Sequence, residues 1–321
     1  MKIIAIINPQ AGSHETEYLR LKLTQAFGHS KIELYETTEK TTAAELAQKA
    51  VLRKPDIIIA CGGDGTVSQV MQGIIETDIP LGIIPAGTGN LLALNLGIPP
   101  NIDKSIQIIK KGKIIRTDIG IINKRIFASL AGCGFDAHVI NKTTREKKKL
   151  FGALAYFWEG FKYAFESSRS RFKLVIDENK IIKIKAVAIL IVNKANIFGE
   201  YLSIVPKSLH NDGKFNIVVL SPLNVWDYVK IVLGLLRNKH YEKSKKIRYF
   251  QAEKIEITSY PRLLAQADGD IIGKTPVKAE ILKEAIKVFV PEEKYNISAE
   301  LLEDSFKKLL TGALSSIRNI F

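Results

Sequence analysis

Ile57-Ile58-Ile59-Ala60-Cys61-Gly62-Gly63-Asp64-Gly65-Thr66-Val67 decides how this chain is read. Its apolar, β-branched opening makes a buried strand, and Gly-Gly-Asp-Gly-Thr stops that strand and opens a helix over Val67 to Ile75. Such a junction gathers unpaired N–H groups and the positive end of a helix at one point, which suits phosphate. Glycine leaves no Cβ between the backbone and a ligand. Thr66 adds a hydroxyl, and Asp64 a carboxylate where phosphates or Mg²⁺ would lie. A plain helix-start turn with a capping aspartate is the other use of the same residues.

Moving outward, Leu81-Gly82-Ile83-Ile84-Pro85-Ala86-Gly87-Thr88-Gly89-Asn90-Leu91 repeats the grammar of strand, Gly/Thr loop and helix. Asn8-Pro9-Gln10-Ala11-Gly12-Ser13 ends the first strand in the same way. Loops at the carboxyl ends of parallel strands are where an open α/β sheet takes its ligand, so the three rim one nucleotide cleft. No Gly-x-x-x-x-Gly-Lys-Ser/Thr occurs, which excludes a P-loop enzyme. Around the loops, Lys2–Ile7, Lys31–Glu36, Asp56–Cys61 and Leu81–Ile84 read as strands. Glu17–Phe27 and Ala43–Val51 read as helices. This alternation predicts an α/β domain with a parallel sheet over residues 1–120.

From about Ile114 the pattern changes. Strand-like runs follow at Arg125–Leu130, Arg171–Ile176, Lys183–Val192, Lys214–Leu220, Lys254–Ser259 and Val277–Leu282, with long helical candidates only at Arg145–Phe165 and Pro222–Asn238. A mainly β domain is expected over 121–283.

The chain has 321 residues, is 46% apolar and carries a formal charge of +14. That length suits two domains, and that apolar share is enough for packed cores. The charge points to an anionic partner. Nucleic acid is disfavoured because no zinc-finger spacing, RNA-recognition signature or basic zipper accompanies it. The apolar start is only a strand long, and Val225–Leu236 is broken by Asp227 and Lys230, so neither a secretory signal nor a membrane span is expected. Cys61 and Cys133 read as small buried residues in a reducing cytoplasm.

Taken in order and spacing, Asn8-Pro9-x-x-Gly12, Gly62-Gly63-Asp64-Gly65-Thr66 and Gly87-Thr88-Gly89-Asn90 resemble the catalytic domain of the diacylglycerol kinase and sphingosine kinase family, in its soluble bacterial form. Thr117-Asp118-Ile119-Gly120 is similar to that family's Asp-x-Gly, and Gly132-x-Gly134-Phe135-Asp136 to the motif after it. Leu209-His210-Asn211-Asp212-Gly213 is similar to its magnesium loop, and Asp268-Gly269-Asp270 falls where the family has Asp-Gly-Glu. The resemblance implies a NAD-kinase-like α/β domain followed by a β-sandwich, the site between them, and residues from about 284 to 321 returning to the first domain. It implies ATP contacts at Gly62, Gly63, Asp64, Gly65, Thr66, Val67, Ser68, Thr38 and Thr88. Asp212 and the carbonyls of Leu209 and Lys214 would hold Mg²⁺, and Asp64 and Asp118 would join a magnesium–water network. The base would be Asp270, or Asp64 in its place.

The expected substrate is a lipid hydroxyl, most simply that of diacylglycerol, met at the membrane surface. Pro222–Asn238, apolar on more than one face and ending in a basic cluster of Arg237, Lys239, Lys243, Lys245, Lys246 and Arg248, suits an anionic membrane surface or a core helix. Arg145–Lys149 before an aromatic-rich helix is a second candidate contact. The amphipathic tail from Ser298 to Phe321 would dock on its own protein, on a partner subunit in a homodimer, or on a membrane. Cytoplasmic, peripherally membrane-associated protein is the matching location. Three other functions use the same residues: a kinase of another lipid such as a sphingoid base or phosphatidylglycerol, a soluble-substrate kinase such as NAD kinase, and a non-catalytic nucleotide- or lipid-binding module.

Overall fold

The computed structural model describes residues 1–11, 16–28, 31–87, 90–134, 169–193, 213–221, 227 and 246–292. In the first third the elements are β1 (Ile3–Ile7), α1 (Thr16–Phe27), β2 (Ile32–Glu36), α2 (Ala43–Leu52), β3 (Ile57–Gly62), α3 (Asp64–Ile74), β4 (Leu81–Pro85), α4 (Leu91–Asn95) and α5 (Ile102–Lys111). Every residue of β1, β3 and β4 is buried. Burial on both faces is why these strands are unbroken apolar runs rather than alternating ones. β2, β1, β3 and β4 pair in parallel. α1 seals the sheet with Leu19, Leu23 and Phe27. α2 opens on a capping box in which Thr42 and Glu45 satisfy each other's backbone N–H groups. α5, not predicted above, is delimited by Asn101, whose side chain accepts from the Lys104 N–H.

The remaining strands are β5 (Lys113–Ile122), β6 (Arg125–Phe127), β7 (Leu130–Gly134), β8 (Ser170–Ile176), β9 (Lys180–Ala186), β10 (Ala188–Val192), β11 (Phe215–Leu220), β12 (Ile247–Ala252), β13 (Lys254–Tyr260), β14 (Leu264–Ala267), β15 (Asp270–Lys274) and β16 (Val277–Val290). One sheet runs β2-β1-β3-β4-β16-β13-β8-β9, with β5 on β16 and β6 on β5; the other runs β12-β11-β10-β7-β14-β15. The fold is thus an α/β parallel sheet joined to a mostly antiparallel β-sandwich. β16 crosses both parts. Its first residues pair with β13, Val288 pairs in parallel with Leu81 of β4, and β5 lies along most of its length. Inward residues such as Phe172, Leu174 and Ile257 from one sheet meet Ile189, Ile217 and Val219 from the other. Phe127 stacks on Phe215 in this core, with ring centroids 5.4 Å apart.

Two runs predicted as single strands divide. Lys183–Val192 belongs to β9 and β10, which lie in different sheets with Val187 between them. The period changes at that point: residues 181–185 alternate, whereas 186–192 are all buried. Arg125–Leu130 divides into β6 and β7 because the N–H groups of residues 128–130 turn to a side chain, as described below. β16 runs as one strand through the predicted Val277–Leu282 and the returning last strand expected near Ala285–Pro291, with a bulge before Ile286 between them. β5, β12, β14 and β15 had not been read as strands. The helical candidates Arg145–Phe165 and Pro222–Asn238 fall outside the described residues apart from Asp227, as does the tail from Ser298 to Phe321. Among the described residues no helix is long and apolar enough to cross a membrane.

Candidate active site

The Gly62-Gly63 and Gly87 loops leave the carboxyl ends of adjacent parallel strands and touch. A Cβ on Gly87 would lie 2.5 Å from the Gly63 Cα, and one on Gly62 would lie 2.5 Å from the Thr66 side chain. Gly63 and Gly87 are required so that two stretches of backbone can approach each other, and Gly62 so that the Thr66 side chain can fold over it, rather than only by a ligand. Gly65 differs, since a Cβ there meets nothing within 4 Å. Gly65 is the second residue of α3 and borders open space there; the helix has Gly63 as its N-cap, with no side-chain capping bond. The first N–H groups of α3 are therefore without a side-chain cap from Gly63.

The other loop residues brace this arrangement. Asn8 Nδ2 donates to Thr66 Oγ1 at 3.0 Å, and Asn8 Oδ1 accepts from the Gln10 N–H. Asn90, in a left-handed conformation, closes the second loop by accepting from the Gly87 N–H and donating to the Gly87 carbonyl. Val67 packs in the core while its N–H bonds to the Gly63 carbonyl. Ser68 Oγ donates to the Ile126 carbonyl of β6 at 3.3 Å, so this hydroxyl ties α3 to β6. Thr38 lies in the loop after β2, where its Oγ1 accepts from the N–H groups of Lys40 and Thr41. Gly12, Thr88, Leu209 and Asp212 lie outside the described residues.

Three carboxylates clamp backbone across the cleft. Asp64 accepts from the N–H of Leu92 at 3.1 Å and from those of Leu91 and Asn90, tying α3 to the start of α4. Asp118, buried on β5, accepts from the Gly213 N–H with Oδ2 at 3.0 Å and from the Glu284 N–H with Oδ1 at 2.7 Å. It therefore holds the bulge of β16, where Glu284 has φ +51°, against the residue that leads into Lys214 and β11. Asp268 accepts from the N–H groups of Ala128, Ser129 and Leu130 at 2.6 to 3.0 Å. Asn193 Nδ2 completes the junction by donating to the carbonyls of Asp118 and Ala128.

Burial pushes the Asp268 carboxyl up to about 6, against the lowering effect of its three N–H donors, and the charge of Asp64 adds to the rise. Asp64 is likewise raised by burial, opposed by its own backbone donors. Asp64 and Asp118 offer the hard oxygens that Mg²⁺ prefers. Among the described residues no group of three or more His, Cys, Asp or Glu side chains is placed to hold a metal. Any ion would therefore draw on carbonyls and water as well.

Asp270 stands apart from the clamps. It begins β15, is exposed, and its Oδ2 accepts from Arg125 Nη2 at 2.6 Å. Sequence reading singled out Asp270 in Asp268-Gly269-Asp270 but gave no role to Asp268, which anchors the hairpin that carries Asp270. Arg125 and Asn193 carry no motif that would have marked them.

Residues 2–122 match the diacylglycerol kinase catalytic domain, and residues 129–290 match the YegS C-terminal NAD kinase beta sandwich-like domain. A Staphylococcus haemolyticus protein named diacylglycerol kinase is 32% identical over 84% of this chain and 81% of its own length. One so named in Bacillus subtilis is 29% identical over 93% of this chain and 98% of its own. A crystal structure from Bacillus anthracis, described as a candidate diacylglycerol kinase, has a TM-score of 0.77 at 25% identity and covers 90% of this chain and 95% of that one. An Archaeoglobus fulgidus NAD kinase crystallised with ATP shares the fold alone, with a TM-score of 0.52 at 14% identity over 96% of this chain and 98% of that one. The chain is a kinase and belongs to the diacylglycerol kinase catalytic-domain family.

Proposed function

We propose that the protein transfers the γ-phosphate of ATP to a lipid hydroxyl, with diacylglycerol as acceptor and phosphatidic acid as product. The observation that carries this reading is the meeting of the Gly63 and Gly87 backbones beside an uncapped helix start, with open space at Gly65. Phosphoryl transfer asks little covalent chemistry of a protein; it asks for alignment, charge neutralisation and a base for the hydroxyl. Backbone donors at the start of α3 would orient the phosphates. Asp64 and Asp118 would hold Mg²⁺, together with Asp212 and the carbonyls of Leu209 and Lys214. The ion, when bound, would neutralise charge on the phosphate oxygens.

Asp270 is the better candidate for the base. The oxygens of Asp64 already serve backbone N–H groups, whereas Asp270 is exposed and its contact with Arg125 is made through Oδ2. Arg125 would fix the carboxylate while Oδ1 meets the lipid hydroxyl and takes its proton. The formal charge of +14 supports work at an anionic, cytoplasmic membrane surface. Incubation of the protein with labelled ATP, Mg²⁺ and a broad lipid extract, and separately with NAD, tests the proposal. Label in phosphatidic acid is expected. Label in no lipid would refute the reading, and label in NAD alone would replace it.

A further inference from the structure

The outward face of β8 and β9 carries a charge pattern that the fold alone disfavours. In the antiparallel register Arg171 lies opposite Lys185 and Lys173 opposite Lys183, and all four are exposed. Strand geometry puts the Cα atoms of these four residues at the corners of a rectangle of roughly 5 by 7 Å. Like charges directly opposite each other across a strand pair repel. The ion pairs nearby join Lys254 to Glu178 and Lys278 to Glu256; among the described residues none reaches these four side chains. Exposed Arg169 and Arg262 flank the end of the face where β8 begins and β13 stops. β13 continues the face with Tyr260, opposite Arg171. This tyrosine is 70% exposed, and the Arg171 guanidinium lies 5.1 Å from its ring centre. Ile181, opposite Val175, is 59% exposed at the other end.

Lysines on an edge strand commonly guard against edge-to-edge pairing, and β9 is an edge. That accounts for Lys183 and Lys185 but not for Arg171 and Lys173, which lie on β8, one strand further in. From the register and exposure of these side chains we infer that the outward face of β8, β9 and β13 rests on an anionic lipid bilayer. Its cations meet headgroup charge while Tyr260 and Ile181 sit at interfacial depth. A single-stranded nucleic acid would want several stacking aromatics, and Tyr260 is the one aromatic on this face among the described residues. The inference rests on the reading that the acceptor is a membrane lipid, and it names the surface that delivers the protein to it.

The test uses the full chain and vesicles of phosphatidylcholine with phosphatidylserine, without diacylglycerol or ATP. Each cation near an anionic surface changes partitioning about fivefold. Arg171→Gln, Lys173→Gln, Lys183→Gln and Lys185→Gln together should therefore weaken co-sedimentation several hundredfold. A control with Lys49→Gln, Lys54→Gln, Lys111→Gln and Lys113→Gln has the same net charge and should bind nearly as the parent does. Phosphorylation of diacylglycerol in neutral detergent micelles should be unchanged in the face variant, while its rate on anionic vesicles falls. Equal loss in both quadruple variants, or loss of polyuridylate binding with vesicle binding intact, would overturn the inference. If the parent phosphorylates no lipid but the face variant alone loses vesicle binding, the kinase reading fails and the docking face stands.

Discussion

Asp268→Asn tests whether desolvation or hydrogen bonding governs the anchor of the cleft. Burial raises this carboxyl from 3.8 to about 6 even though three backbone N–H groups favour its charged form. Below pH 4 the group is protonated in both the folded and unfolded chains, and it contributes no pH dependence. Between pH 4 and 6 the unfolded chain releases the proton and the folded chain keeps it, so stability falls as pH rises. Above pH 6 the whole penalty is present. A shift of about two units at 1.36 kcal/mol each corresponds to about 3 kcal/mol. Asparagine does not titrate and lacks this fall. It also turns an N–H toward the donors of residues 128–130, which costs about 1–3 kcal/mol at every pH. The offset is constant, so the slope is diagnostic. Urea unfolding from pH 3.5 to 7, with chelator present and m-values compared, should show the parent losing about 3 kcal/mol relative to the variant. In an Asp64→Asn background that loss should shrink, because one source of the shift is gone. Parallel stability curves for parent and variant would refute the reasoning: the three N–H bonds would then outweigh desolvation.

Gly65→Ala should leave stability unchanged or raise it by up to about 1 kcal/mol, because alanine suits a helix and meets no neighbour. The same change should raise the KM for ATP if phosphates approach there. Gly87→Ala should do the opposite in thermal unfolding, costing about 1–3 kcal/mol as its Cβ forces the two loops apart. Asp118→Asn should cost about 1–3 kcal/mol in urea, since either the Gly213 or the Glu284 N–H then loses its acceptor. Asp270→Asn should lower turnover at saturating ATP about 10²–10⁴-fold with folding intact, and Asp270→Glu should keep activity. A folded Asp270→Asn enzyme with more than about a tenth of parental turnover would remove it as base.

The phosphate loops were legible because their signal is local: an apolar strand, glycines and a helix start, all within a dozen residues. The α/β alternation was legible for the same reason. The partners of those loops were not. Asp118 reaches across 95 residues to Gly213, and Asp268 across 138 to Leu130. Residue types along a chain do not record such pairings. The true reason for Gly63 and Gly87 was hidden likewise, since each glycine exists partly for the other. The switch of sheets at Val187 did leave a trace, a change from alternating to continuous burial, but both halves are apolar enough to pass for one strand. In β16 the polar residues of the bulge resemble the end of a strand.

The clamps also bear on which aspartate takes the proton. Asp64, Asp118 and Asp268 each gather N–H donors from segments that must stay together for the cleft to exist. Moving any of these carboxylates toward a hydroxyl would strand the donors it serves. A base must instead accept a proton and return to its starting state in every cycle without disturbing the frame. Asp270 meets that requirement. It projects from a hairpin that Asp268 fixes, one of its oxygens is held by Arg125, and its side chain is exposed. On the proposed reading, rigid clamps would hold the cleft while the accessible Asp270 moves the proton.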